Sequence, residues 1–209
     1  MDWNALASIQ PALAQIPPQL RALAELQKTI EGETLFRIGS RVKTVFSVIS
    51  GEIRLIRRNP NGAEVILQRS RGGFFAEASL SSKTYHCDAV VAKKGELLRF
   101  PAQAFRAALD EDADFRDAWM NHLAREVRKL RAQCERLSLH NAADRIIHYI
   151  ESEGAGRAIT LNQSRKAWAS ELGLTHEALY RALHRLQADG ILDIDGGQIA
   201  IVHPEKAHN

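Results

Sequence analysis

Two cysteines, Cys87 and Cys134, are all that the 209 residues contain. That is too few for a disulfide framework, and it points to a reducing, cytoplasmic setting. It is also too few for an iron–sulfur cluster within one chain, which takes about four cysteine ligands. No apolar run approaches the ~20 residues that span a bilayer, so no membrane partner is expected. Residues 1–10 carry an acid and lack the basic-then-apolar texture of a secretory signal. There is no Walker loop, no His-Glu-x-x-His and no Gly-x-Ser-x-Gly. A cupin-type metal enzyme, the remote alternative for a β-barrel, needs clustered His and Glu on its strands. The barrel region offers one histidine, His86. No enzymatic activity is expected.

A strong charge of either sign is missing as well. The formal net charge is +3, which by itself does not argue for nucleic acid. Residues 138–209 hold seven Lys and Arg against nine Asp and Glu, so any attraction to phosphate there depends on local placement.

What is present changes texture along the chain. Residues 3–27 read as helix, with Leu6, Ile9, Leu13, Leu20, Leu23 and Leu26 at helical spacing and a break at Pro17-Pro18. Short β-type runs follow at 34–37, 44–49, 52–57, 64–68, 86–91 and 96–100. Asn59-Pro60-Asn61-Gly62 is a turn signal between two of them. Evenly spaced short strands mean a sandwich or barrel, here a small jelly roll.

After a short helix at 103–109, a long helix is expected over 112–137. In it Met120, Leu123, Val127, Leu130, Cys134 and Leu137 recur at steps of three and four. That heptad seam suits two identical helices packing along each other. Packing of the helix on its own barrel is the plain alternative. The intervening side chains, among them Arg125, Arg128, Arg131 and Arg136, read as solvated flanks. Asn141 suits the N-cap of a new helix over 142–151, and Gly154-Ala155-Gly156 reads as a loop.

The stretch 164–202 carries the function. A helix over 165–172, a turn at Gly173 with Leu174 as its plug, an N-cap at Thr175 and a second helix over 176–188 make a helix-turn-helix. Leu179, Leu183 and Leu186 form the apolar stripe of the second helix, and His176, Glu177, Tyr180, Arg181 and His184 face away from it. The hairpin that follows, turning at Asp195-Gly196-Gly197, makes the winged form.

These residues resemble the cyclic-AMP receptor protein/FNR (Crp/Fnr) family of bacterial regulators, over residues 34–204. Gly39 and Gly51 bracket a strand in the family spacing. Gly72-Gly73-Phe74-Phe75-Ala76-Glu77 looks like the family's Gly-Asp-x-x-Gly-Glu segment. Residues 120–137 align with its dimerisation helix, and residues 172–181, from Leu172-Gly173-Leu174-Thr175 to Arg181, with its recognition motif. The resemblance implies an α+β chain: a cyclic-nucleotide-binding-like β jelly-roll effector domain at 1–110, a dimerisation helix at 111–137 and a winged helix-turn-helix domain at 138–209. It implies a homodimer that binds a palindromic site on double-stranded DNA, with RNA polymerase as a further partner if the protein activates. The half-site expected from the family has a TGA-like core.

By the same resemblance Glu177 and Arg181 read bases, joined by His176, while Ser164, Lys166 and Thr175 contact phosphate. The chemistry agrees. A carboxylate accepts from cytosine N4, and a guanidinium donates to guanine O6 and N7. The plain alternative is a surface Glu–Arg pair at i,i+4, worth about 0.3–0.5 kcal/mol, with Glu177 suited to the helix dipole. Tyr180 departs from the small residue common in the family.

The barrel departs further. Cyclic-AMP binders in the family use a Glu on the ribose, then an Arg and a Ser ten and eleven positions later on the phosphate. Glu77 keeps the first; Cys87 and Asp88 replace the others. The adenine-contacting pair aligns with Leu130 and Arg131. Control by a signal other than cyclic AMP is therefore expected, and no cofactor. Glu77, His86, Cys87, Asp88 and Arg131 form the candidate effector pocket. Haem or a metal on Tyr85-His86-Cys87-Asp88 is one alternative, although strand neighbours point to opposite faces. A redox role for Cys87 or Cys134 is another. A small buried Cys87 between two surface polar residues is the plain one.

Overall fold

The computed structural model describes residues 1–58, 64–161 and 163–202. The expected turn at Asn59-Pro60-Asn61-Gly62 lies outside the described residues. The chain forms two compact units, Met1–Leu123 and Ala124–Asn209.

The first unit opens with helix α1 (Trp3–Ile9), a 3-10 turn (Pro11–Leu13) and helix α2 (Pro18–Ala22). Asp2 starts α1 by accepting from the N–H groups of Asn4 and Ala5, each at 3.0 Å. The helix expected to reach residue 27 stops short. Glu25–Lys28 is strand β1, paired antiparallel from Glu25 opposite Arg99 to Lys28 opposite Glu96. Leu20 is buried, but Leu23 and Leu26 are about half exposed, so their spacing marked no helical face.

Strands β2 (Thr34–Phe36), β3 (Thr44–Arg58), β4 (Glu64–Ser70), β5 (Gly73–Phe75) and β6 (Asp88–Pro101) complete a six-stranded sheet. Its order is β1-β6-β3-β4, with β2 added to β6 and β5 to β3. The runs read as 44–49 and 52–57 are one strand, β3, and most of those at 86–91 and 96–100 is β6. These two long strands pair antiparallel from Thr44 opposite Pro101 to Ile56 opposite Asp88, with register shifts between Val48 and Ile53. Gly51 has φ +89°, and a Cβ there would lie 2.6 Å from the Lys93 carbonyl oxygen. The glycine marks a bend where two backbones nearly touch, not a chain reversal. The short strand β5 was absent from the sequence reading.

Leu13, Val45, Phe75, Leu97 and Phe100 fill the interior of this jelly roll. Helix α3 (Ala102–Glu111) adds Phe105, and the start of helix α4 (Ala113–Ser138) adds Phe115 and Trp119. Asp112 begins α4 by accepting from the Phe115 N–H at 2.9 Å. Phe105 meets Trp119 edge-on at 4.8 Å and Phe115 at 5.3 Å. Burial of each such ring contributes roughly 1.5–3 kcal/mol.

In the second unit, Asn141 caps helix α5 (Ala142–Glu153) through the Asp144 N–H at 2.7 Å. Strand β7 (Ala158–Thr160), helix α6 (Arg165–Glu171), helix α7 (His176–Ala188), strand β8 (Leu192–Asp195) and strand β9 (Gln198–Ile201) follow. The sheet order is β7-β9-β8. Strand β7 follows the expected loop at Gly154-Ala155-Gly156 and has no sequence signal of its own; only three residues long, it is defined by its pairing, Ile159 opposite Ile199. Ile146, Ile150, Trp168, Leu172, Leu179, Leu183 and Ile199 make the core.

Candidate nucleic-acid interface

The helix-turn-helix is built by two side-chain caps and one glycine. Ser164 Oγ accepts from the Ala167 N–H at 3.2 Å and starts α6. Trp168 and Leu172 are fully buried and fix the face that α6 turns inward. The chain reverses at Gly173, whose φ is +64°, where an L side chain is strained. Crowding adds to that demand, because a Cβ there would lie 2.8 Å from Leu137 Cδ2 and 3.1 Å from Arg145 Nη1. The Leu174 N–H returns to the Ala169 carbonyl at 2.8 Å. Thr175 Oγ1 then accepts from the Ala178 N–H at 3.1 Å and starts α7.

Leu179, Leu183 and Leu186 bury one stripe of α7. His176, Glu177, Tyr180, Arg181 and His184 are all exposed. The His176 and Tyr180 rings meet edge-on at 4.7 Å. Glu177 and Arg181 share the exposed face, and among the described residues neither makes an ion pair, so the two do not neutralise each other. Lys166 is exposed on α6, near the Ser164 cap. Ser164 and Thr175 spend their oxygens as cap acceptors, and each hydroxyl proton is left to donate outward. The β8–β9 hairpin is the wing.

Two arginines escaped the sequence reading. Arg136, read as a solvated flank of α4, is only 1% exposed. It donates to Ser152 Oγ and Glu153 Oε1, both at 3.0 Å, and its guanidinium lies 4.5 Å from the Tyr149 ring centre. Arg145 donates to four carbonyls: Leu139 at 2.9 Å, Leu172 and Gly173 at 3.1 Å, and Leu137 at 3.3 Å. These bonds join the end of α4 to the turn of the helix-turn-helix. A basic residue at helical spacing looks alike whether it meets water or carbonyls, so no local signal was there to read.

On α4, Met120, Val127, Leu130 and Leu137 are 43–60% exposed, and Cys134 is exposed too. Leu123 is half-buried against the barrel core.

Of the candidate effector residues, His86 and Asp88 are engaged by neighbouring groups of the fold. Glu77 begins a 3-10 turn (Glu77–Ser79) and is half-buried. Ala76 before it has φ +67°, where the family motif has Gly. His86 Nδ1 shares a 2.7 Å hydrogen bond with Ser79 Oγ. Asp88 is not a surface residue. It is buried, and it accepts from the Ile38 N–H at 2.7 Å and from Arg58 Nη1 at 2.9 Å. Burial pushes the Cys87 thiol up, with Asp88 and Glu77 adding to the rise and Arg57 opposing it. That favours an inert thiol at neutral pH. The Tyr85 hydroxyl is bound to the backbone of Thr44. Among the described residues no group of three His, Cys, Asp or Glu could hold a metal. The run therefore offers no three-ligand set for a metal ion among the described residues. Arg131 is exposed on α4, in the second unit.

Comparison with known proteins agrees with this architecture. Residues 27–112 match the model of the cyclic nucleotide-binding domain, and residues 139–206 that of the Crp-like helix-turn-helix domain. The transcriptional activator protein FnrA of Stutzerimonas stutzeri is 26% identical over 82% of this chain and 74% of its own. The nitrogen fixation regulation protein FixK of Bradyrhizobium diazoefficiens is 25% identical over 90% and 84%. The structure of FixK2 from Bradyrhizobium japonicum shares the fold, with a TM-score of 0.62 at 22% identity over 89% of this chain and 96% of that one. Together with the exposed polar face of α7, these likenesses define a helix-turn-helix, DNA-binding transcription regulator. The chain belongs to the Crp/Fnr family of bacterial regulators.

Among the described residues, no helix is long and apolar enough to cross a membrane.

Proposed function

We propose that the protein acts as a homodimer on a palindromic promoter site, under the control of a signal other than cyclic AMP. The observation that carries this reading is the α7 face, where Glu177 and Arg181 stand exposed, four residues apart and unpaired with each other. A structural ion pair would have closed to within 4 Å; these two are left to meet base edges. His176 adds a third base contact, and Ser164, Lys166 and Thr175 bind phosphate. The apolar stripe of Met120, Val127, Leu130 and Leu137 supports pairing of α4 with its copy, since water-facing side chains of that size at heptad spacing gain by mutual burial. If the protein activates, RNA polymerase is a further partner.

Control by another signal is supported by Asp88. Where cyclic-AMP binders in the family hold the phosphate, this carboxylate is buried and committed to Ile38 and Arg58. In vitro selection from random duplexes tests the reading. The expected product is a two-fold symmetric sequence whose half-sites lie about one helical turn apart. Recovery of no common sequence contradicts it.

A further inference from the structure

A cavity of about 440 Å³ opens in the first unit, away from the candidate effector residues. Its apolar wall is made by Phe36, Phe46 and Tyr85, with Phe36 and Tyr85 stacked at 3.8 Å and 11°. Its polar wall carries three cations, Arg41, Lys43 and Arg99. Glu77, His86, Cys87 and Asp88 do not line it.

Among the described residues two of the cations, Arg41 and Lys43, have no acidic partner, while Arg99 is paired with Glu25. Arg99 stands 3.6 Å from Glu25, and its Nε is buried without a partner among the described residues. Glu33 is the one acid in the lining, and its carboxylate is already taken by Gln27 Nε2 at 3.1 Å and the Ile30 N–H at 3.0 Å.

The backbone beneath the cations is also fixed. The Gly39 N–H donates to the Tyr85 carbonyl at 2.9 Å, the Tyr85 N–H to that of Ser40 at 2.9 Å, and the Val42 N–H to that of Lys83 at 3.2 Å. The Tyr85 hydroxyl closes the set by donating to the Thr44 carbonyl at 2.7 Å. Val42 is buried between exposed Arg41 and Lys43, and both charged residues line the cavity.

We infer that this cavity is a binding site for a small aromatic carboxylic acid. The flat body lies against the Phe36–Tyr85 stack, and the carboxylate is held by Arg41, Lys43 and Arg99. A guanidinium fork suits a carboxylate, and the volume is of the size that small organic ligands occupy, roughly 300–1,000 Å³. Three cations less the charges of Glu33 in the lining and of Glu25 beside Arg99 leave one net positive charge, which matches a monoanion and not a polyanion. The site stands apart from DNA binding, and its test does not depend on it.

Salicylate is the probe, titrated into the isotope-labelled full chain and followed by backbone amide shifts and calorimetry. The expected result is saturable binding at or below about 1 mM, with shifts centred on Ser40 to Thr44, Tyr85 and Arg99. Phenol, which lacks the carboxylate, and sulfate, which lacks the ring, bind at least about tenfold more weakly. The double variant Arg41→Ala/Lys43→Ala keeps the amide fingerprint of the fold and loses at least about tenfold in salicylate affinity. Absence of saturation, shifts centred elsewhere, equal binding of phenol or sulfate, or an unchanged double variant overturns the inference.

Discussion

The Arg145 guanidinium donates to the Gly173 carbonyl at 3.1 Å, while its other nitrogens hold the carbonyls that end α4. One side chain thus satisfies helix-end acceptors and the recognition turn together. Charge-assisted bonds of this kind are worth more than neutral ones. Arg145→Met is expected to lower the urea-measured stability of the second unit by about 1.5–3 kcal/mol. It should also weaken operator binding, because α7 loses its fixed relation to α4. A stability within about 0.5 kcal/mol of wild type would show the bonds to be incidental.

The α4 stripe gives a second expectation. Leu130 is 55% exposed and Val127 45%. Leu130→Glu places a charge in the seam without disturbing either core, so the subunit should stay folded. If α4 pairs with its copy as proposed, sedimentation equilibrium is expected to show a dimer for wild type and a monomer for the variant. A dimer of unchanged affinity would place the contact elsewhere.

Fold class and the recognition helix were legible in the sequence because both rest on local signals. Residues 176–188 form α7 as read, with a threonine cap before them and leucines at helical spacing. The N-terminal leucines misled, since Leu20 packs inward while Leu23 and Leu26 face solvent, and the backbone from Glu25 to Lys28 is claimed by pairing with β6. Non-local partners explain the other gaps. Arg136 is buried by Tyr149 and Glu153, Asp88 by Ile38 and Arg58, and strand β7 exists through β9. None of those partners lies within one helical turn in sequence. The cavity beside Arg41 and Lys43 was unreadable for the same reason.

Acid stability turns on Glu52, which is 4% exposed and bound by Arg69 and Arg71 at 2.8 Å each. Burial alone would raise its pKa. The hydrogen bonds and charges of Arg71 and Arg69 outweigh that effect and hold it below its ordinary 4.5. A folded pKa below the unfolded one means the stabilisation is full above the unfolded value and is lost as pH falls through the folded value. Glu52→Gln should therefore be less stable than wild type at neutral pH, with the gap shrinking on acidification below 4.5. Urea midpoints across that range check it; a gap that stays constant or widens speaks against the pairing.

Calorimetry with cyclic AMP is expected to give no saturable heat if, as the resemblance implies, Asp88 replaces the residue that cyclic-AMP binders place on the phosphate; here its carboxylate is bound to Ile38 and Arg58. Binding in the micromolar range would overturn the assignment of a different signal.

The most direct test of the central claim compares wild type and Arg181→Ala on a selected palindromic duplex and a scrambled one, by fluorescence anisotropy at fixed salt. Arg181 is exposed and caps nothing, so the variant should fold and dimerise as wild type does. The account predicts loss of about 1–3 kcal/mol of discrimination per half-site, with scrambled-duplex binding nearly unchanged. Full retention of the wild-type preference would contradict it.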